Sequence, residues 1–330
     1  MELRKVNINN ELDSWNEIIN NSPDFYTIAH NPSLITFINN TLDWKGDSFF
    51  ILNQKEIIGI YQHSCPADDK SVSIPHFSYG GIIRKDEKYT KSVIFESIKP
   101  FLPKSFEIRE FEAYTNYFND DKVATYLELQ PTIDMQLSML KYNHRRKIKK
   151  AYKNNLYIVI SNNFESMELF YDVYSRNMLR LGSPPLSKKF FYNLLKDYKF
   201  GELNIFLVKL DDKVIGGAVM LSYHNFSEDC WLSTLSNYNH LYTSVLLYWE
   251  MIKYSIEEDK KYFSFGRSTK DSSLLHFKKQ WNPIEKKLYI SYSDPQKINL
   301  KKMKFLTKFW KLLPLKVANF VGAKIADKLY

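Results

Sequence analysis

Only two of the 330 residues are cysteine, Cys65 and Cys230, and they form no CxxC pair. That excludes a disulfide framework and a cysteine-rich zinc site, and it fits a reducing compartment. Glycine is scarce at 10 residues, which argues against folds that use glycine to cradle phosphates or turn barrel corners. No window approaches the roughly 18 uninterrupted apolar residues of a membrane span, and no apolar run follows the charges of the first ten residues. A cytoplasmic location is expected. The seven histidines are scattered without metal-ligand spacing, so no metal site is expected. What the chain does have is apolar and aromatic content, 44% and 16% of residues, enough for a substantial core.

The formal charge of +9 is unevenly placed. Residues 1–134 carry 13 basic and 20 acidic side chains, and residues 165–296 nearly balance at 17 and 16. The excess comes from two short segments. Residues 135–164 hold Lys141, Arg145, Arg146, Lys147, Lys149, Lys150 and Lys153 with no acid, and residues 297–330 hold nine lysines with only Asp327 against them. This pattern suits a phosphate-bearing or membrane-surface partner better than general nucleic-acid affinity, and DNA is not expected as a partner.

Periodicity and turn residues predict the element order. In the first half a strand (3–8) and a helix (12–20) precede a helix opened by Pro32. Strand-like runs at 48–53, 57–63 and 71–79 follow, then a helix (88–99) and strands at 106–111 and 122–129. The second half repeats the order: a strand (156–161), helices at 164–181 and 187–199, and a meander at 203–210, 214–223 and 229–236. A long helix (242–258), a strand (262–266), a helix (272–281) and a strand (286–292) complete it. The expected division is a first domain over 1–134, a basic connecting helix over 135–155, a second domain over 156–296 and a basic C-terminal segment over 297–330.

A strand, two helices, a meander, a helix and a strand is the layout of GNAT-type acyltransferases. The stretch Phe263-Ser264-Phe265-Gly266-Arg267-Ser268, followed by Leu275-His276-Phe277-Lys278-Lys279-Gln280-Trp281, resembles the end of FemABX aminoacyltransferases and their BioF2-like relatives. The basic run at 145–153 is similar to that family's connection between domains. Trp310-Lys311-Leu312-Leu313-Pro314 resembles its exopolysaccharide-associated branch. The resemblance implies an α/β fold of two GNAT-like domains in tandem, each a mixed sheet flanked by helices. It implies transfer of an aminoacyl or acyl group, from aminoacyl-tRNA or acyl-CoA, to an amine of an envelope glycan precursor that is lipid- or nucleotide-linked. Neither donor would be a tightly bound cofactor. The long helical arm of the peptidoglycan members is absent, and the family's double glycine is Gly266-Arg267 here. Two other readings stand beside this one: an acyl-CoA-dependent N-acyltransferase of a soluble nucleotide amino sugar, and a non-enzymatic membrane-peripheral scaffold.

Lys278 can bind phosphate or stabilise the oxyanion formed when an amine attacks a carbonyl, and the resemblance implies a role at that position. Five residues could serve as general base: Asp271, His276, His240, Glu228 and Asp229. Asp271 and His276 are taken with Lys278 as the expected catalytic set. Arg267 and Ser268, beside a predicted helix start, are expected to meet an anion. Phe277, Tyr242, His240 and Tyr79 complete the expected substrate contacts. The loop 236–240 lies where a GNAT enzyme grips pyrophosphate, yet it contains no glycine. The pairs Gly80-Gly81 and Gly216-Gly217 permit either a bulge with close ligand approach or a tight crossing. In the C-terminal segment, apolar residues at helical spacing with lysines between them read as a membrane-contacting amphipathic helix, with Lys304, Lys308, Trp310, Lys311 and Phe320 as the contacts.

Overall fold

The computed structural model describes residues 1–295 and 307–326. The chain forms two compact units, one of residues 1–123 with 286–296 and the other of residues 124–285 with 297–330.

The first unit contains strand β1 (Glu2–Lys5), helices α1 (Ile8–Asn21) and α2 (Ser33–Leu42), and strands β2 (Lys45–Asn53), β3 (Glu56–Ala67), β4 (Lys70–Val72) and β5 (Ile83–Arg84). Helix α3 (Lys91–Ile98), β6 (Ser105–Glu110) and the start of β7 (Phe118–Glu128) follow. Strands β1 to β4 pair antiparallel in sequence order, and β4 lies parallel to β6. The turn between β2 and β3 places both Gln54 and Lys55 at positive φ, the twist a two-residue hairpin needs. The strand expected over 71–79 is only three residues long, and the chain then leaves the sheet. Tyr79 lies in that irregular stretch, buried, with its ring 4.8 Å from that of Phe111 and its carbonyl accepting from Thr27 Oγ1 at 3.0 Å. Beneath it Asp24, Arg84, Lys91 and Glu110 pair with one another, with Arg84 on Asp24 at 2.7 Å and Lys91 on Glu110 at 3.2 Å.

The second unit takes in the end of β7, helices α4 (Ile133–Ser138) and α5 (Tyr142–Tyr152), strand β8 (Leu156–Ser161), and helices α6 (Phe164–Leu181) and α7 (Lys188–Asp197). Strands β9 (Glu202–Leu210), β10 (Lys213–Tyr223) and β11 (Phe226–Thr234), helix α8 (Thr243–Glu257), β12 (Tyr262–Thr269), helix α9 (Ser273–Lys279), β13 (Ile284–Tyr292) and helix α10 (Leu315–Ala326) complete the chain. Strands β8 to β11 form an antiparallel meander, β11 runs parallel to β12, and β7 lies beside β12. Period-two alternation sorts the meander's side chains. Phe206, Val208, Ala218 and Met220 pack with α8 and with Ile148 and Ala151 of α5. Phe190 and Phe191 of α7 meet Trp231 of β11 edge-on, and Phe170 and Tyr174 of α6 stack on each other, with Phe170 edge-on to Phe191. Gly216 belongs to a register shift in β10 and lets α8 approach, since a Cβ there would fall 2.6 Å from Thr243 Cγ2. The pair Gly216-Gly217 therefore serves helix packing.

Local chemistry fixes these helix ends: Ser187 accepts from Phe190 N at 3.0 Å at the start of α7, and α6 ends at Gly182 with φ 79°. The strand expected over 286–292 forms as β13, but it pairs with β6, so its residues from Lys286 onward belong to the first unit. Contacts place the division at 123/124 where the sequence suggested 134, because β7 runs through that point without a break.

Candidate active site

The parallel ladder between β11 and β12 covers three pairs, from Phe226 with Tyr262 to Glu228 with Ser264. Both strands continue well past it. At the point where pairing stops, β11 carries a bulge: Met220 faces Asp229 and Val219 faces Trp231, so Cys230 falls outside the ladder with β10. A bulge bends its strand and sharpens the twist. On the other side β12 turns at Gly266, whose φ of 68° lies in the left-handed region that only glycine enters without strain. Two local irregularities, one per strand, thus open a parallel pair into a slot.

Helix α9 is aimed at this slot. Ser272 caps it by accepting from Leu275 N at 3.2 Å, and its inward face carries Leu275 and Lys278. Trp281, just beyond the helix, is buried against Phe265 and Tyr248 and fixes the helix's end. Lys278 is only 3% exposed. Its ammonium donates to the carbonyls of Phe265 and, at 3.3 Å, Arg267, both beyond the last residue of β12 paired to β11. An ammonium has three donors, so one remains for a substrate. Burial pulls its pKa down to about 8, with Asp229 and Glu228 opposing the shift.

Asp229 sits on the bulged strand, also buried. The Tyr248 hydroxyl donates to it, and its Oδ1 has no hydrogen-bond partner. Burial pushes its pKa up to about 6, while the Tyr248 hydrogen bond and the charge on Lys278 hold it from rising further. Glu228 accepts from Ser264 Oγ at 2.9 Å, and that oxygen accepts from Gly266 N at 3.0 Å, which ties the carboxylate to the turn in β12. The hydroxyl of Ser268, further along β12, is buried without a partner. A buried polar atom left without a partner is costly unless a ligand completes it. Two such atoms, the Asp229 Oδ1 and the Ser268 hydroxyl, lie on β11 and β12, and Lys278 adds an N–H beyond the two that its carbonyl partners use.

The residues expected from sequence separate into two groups. Lys278 and Ser268 lie in the site, and Phe277 packs near it, 5.8 Å from the Tyr248 ring. Arg267 is half-buried and contributes its carbonyl to Lys278. Asp271 stands exposed on the loop at φ 57°, and His276 projects from the outer face of α9, because helical spacing that turns Leu275 and Lys278 inward turns residue 276 out. Neither bears on the charge of Lys278, whereas Asp229 does. His240 is exposed in the turn after β11, and Tyr242 is the half-buried residue preceding α8. Asp229 was legible only as one of five acids or histidines. The bulge that aims it has no sequence signal of its own.

Residues 138–279 match the acetyltransferase (GNAT) domain family. The fold of the whole chain is similar to that of FemX, with TM-score 0.65 and 13% identity over 93% of this chain and all of that one. Residues 138–279 thus resemble a GNAT acetyltransferase domain, within a chain whose fold is similar to that of FemX. L-PGS from Bacillus licheniformis is similar at TM-score 0.55 and 9% identity, over 91% of this chain and 97% of that one. A tandem GNAT protein from the clavulanic acid biosynthesis pathway is similar at TM-score 0.54 and 6% identity, over 89% and 98%. No curated protein matches the sequence.

Within the matched residues the segment after β11, Ser236–Leu241, is wound into a 3-10 turn, with Tyr238 N bonded to the Leu235 carbonyl and Tyr242 N to that of Asn239. It is not an open loop of free amides of the kind that grips a pyrophosphate. A cavity of about 620 Å³ opens beside it, lined by Arg176, Arg180, Lys213, Thr234 and Tyr238 among others. A second, of about 340 Å³, lies between α4 and α5 and is lined by Tyr142, Arg145, Arg146 and Lys149 with Asp134 and Ser138. None of those three cations forms an ion pair among the described residues. No metal-binding group of histidine, cysteine and carboxylates is found among the described residues.

Proposed function

We propose that the protein transfers an aminoacyl group from aminoacyl-tRNA to an amine of a cell-envelope glycan precursor, lipid- or nucleotide-linked. The observation that carries this reading is the buried Lys278–Asp229 pair, which offers one vacant donor and one vacant acceptor at the split of β11 and β12. The acceptor amine attacks the ester carbonyl and a C–N bond forms. The charge that develops on the carbonyl oxygen is met by the remaining N–H of Lys278. Asp229, ionised above about pH 6, takes the proton from the attacking nitrogen. Collapse breaks the C–O bond to the donor ribose, and the Asp229 carboxyl returns that proton to the leaving oxygen. Aminoacyl-tRNA is favoured as donor because the 236–241 turn lacks a pyrophosphate cradle and because Arg145, Arg146 and Lys149, which form no ion pair among the described residues, offer their charge to a phosphate backbone. The match to the acetyltransferase domain family favours acyl-CoA as the second reading, with C–S cleavage in place of C–O. A lipid-linked acceptor would bring the reaction to the inner face of the cytoplasmic membrane.

Purified protein incubated with radiolabelled aminoacyl-tRNA or acyl-CoA, and with nucleotide- or lipid-linked amino sugars, tests the reading. Label should pass from charged tRNA to an acceptor, and Lys278→Met should lower the rate by about 100-fold or more while the circular dichroism spectrum is kept. Transfer from acyl-CoA alone would replace the donor. No transfer from either would leave the scaffold reading.

A further inference from the structure

Helix α10 packs by its smallest residues. Ala318, Gly322 and Ala326, four apart, are its buried positions, and Gly322 lies so close to Pro185 that a Cβ there would fall 2.4 Å from the proline ring. The preceding turn is held the same way: Trp310 is buried, and a Cβ on Gly182 would collide with the Thr307 carbonyl at 2.5 Å. The large apolar residues are left outside. Leu312 is 81% exposed, Phe320 65% and Phe309 56%, and Val317 and Ile325 are exposed with them. An ordinary surface helix has the reverse arrangement, with its large apolar stripe inward. Of the contacts expected from sequence, Phe320 is exposed, whereas Trp310 is buried and anchors the segment to the body. Lys304 lies outside the described residues.

The segment's own charge has one sign, and the acids beside it, Glu168 and Asp172 of α6, which line a cavity with Lys316 and Phe320, are paired with Lys188 and Arg176. Lys308, Lys311, Lys316 and Lys324 are exposed, no acidic residue occurs between 307 and 326, and the Lys324 ammonium lies 4.4 Å from the centre of the Phe320 ring. We infer that the outward face of the 307–326 segment is a docking surface for an anionic lipid bilayer. Phe309, Leu312, Val317 and Phe320 enter the boundary between headgroups and acyl chains, and the lysines meet lipid phosphates. A second copy of this chain fits poorly, since a two-fold contact would set the segment's lysines against themselves while the neighbouring Glu168 and Asp172 are already paired with Lys188 and Arg176. The surface is independent of the acyl-transfer chemistry, so either can fail without the other.

Flotation of the full-length protein with vesicles of phosphatidylcholine, with and without phosphatidylglycerol, tests the inference. Binding should require phosphatidylglycerol and weaken as salt rises. The double variant Leu312→Ser/Phe320→Ser should lose about tenfold or more in partitioning for each apolar side chain removed, with its circular dichroism spectrum and thermal melt unchanged. Phe320→Trp should retain binding. The inference is overturned if the wild type fails to float, if it binds neutral and anionic vesicles equally, or if the double variant binds like the wild type. It is equally overturned if sedimentation shows a dimer that the double variant dissociates while neither form binds vesicles.

Discussion

Replacing Asp229 with asparagine should make the protein more stable and less active. In the folded chain burial holds the carboxyl's pKa at about 6, against 3.8 in its ordinary state. At about 1.4 kcal/mol per unit, keeping this group ionised at neutral pH costs the fold about 3 kcal/mol. The sign follows from which state releases the proton first. Below pH 3.8 both folded and unfolded chains hold it, and there is no cost. Between 3.8 and about 6 the unfolded chain ionises while the folded one does not, so stability falls as pH rises. Above about 6 the cost is constant. Asparagine keeps a partner for the Tyr248 hydroxyl and removes the buried charge. Part of the gain is lost because Lys278 then has only Glu228 to offset its own burial. Urea denaturation at pH 7.5 should therefore show Asp229→Asn more stable than wild type by about 2 to 3 kcal/mol, and the gap should shrink to well under about 1 kcal/mol at pH 4. Parallel stability curves across that range, or a less stable variant at pH 7.5, would refute the claim that this carboxyl is held in the slot at the expense of stability.

Three further outcomes are expected. The pH profile of kcat/KM should be bell-shaped, rising through about 6 as Asp229 ionises and falling through about 8 as Lys278 loses its proton; an active Asp229→Asn variant that kept the acid limb would remove Asp229 as base. Gly266→Ala should cost about 1 to 2 kcal/mol in urea denaturation because alanine is strained at that φ, and it should lower activity by displacing the two carbonyls that hold Lys278. Asp271→Ala and His276→Ala should leave turnover unchanged in the transfer assay, since both side chains face solvent away from the split strands.

Much of this architecture was legible because it is local. The strand over 156–161 and the helix over 164–181 appear at the limits their patterns gave. Lys278 was found through the residues around it. The partner of β13 was not legible, since hydrophobic alternation marks a strand without naming the strand it pairs with. Asp229 was one of five candidates for the same reason: side-chain chemistry is written in sequence, but desolvation is not.

The sequence by itself determined the element order and the two basic segments, because periodicity and charge depend on neighbours along the chain, and it pointed to Lys278 through a family resemblance in the residues around it. Tertiary structure alone decided which acid faces that lysine. The bulge at Cys230 and the left-handed turn at Gly266 end the ladder between two strands joined through a helix, and no local pattern specifies that meeting. Tertiary structure also decided which way the C-terminal helix faces. Its composition fits either orientation, and only the close approach of Gly322 to Pro185 turns Phe320 outward.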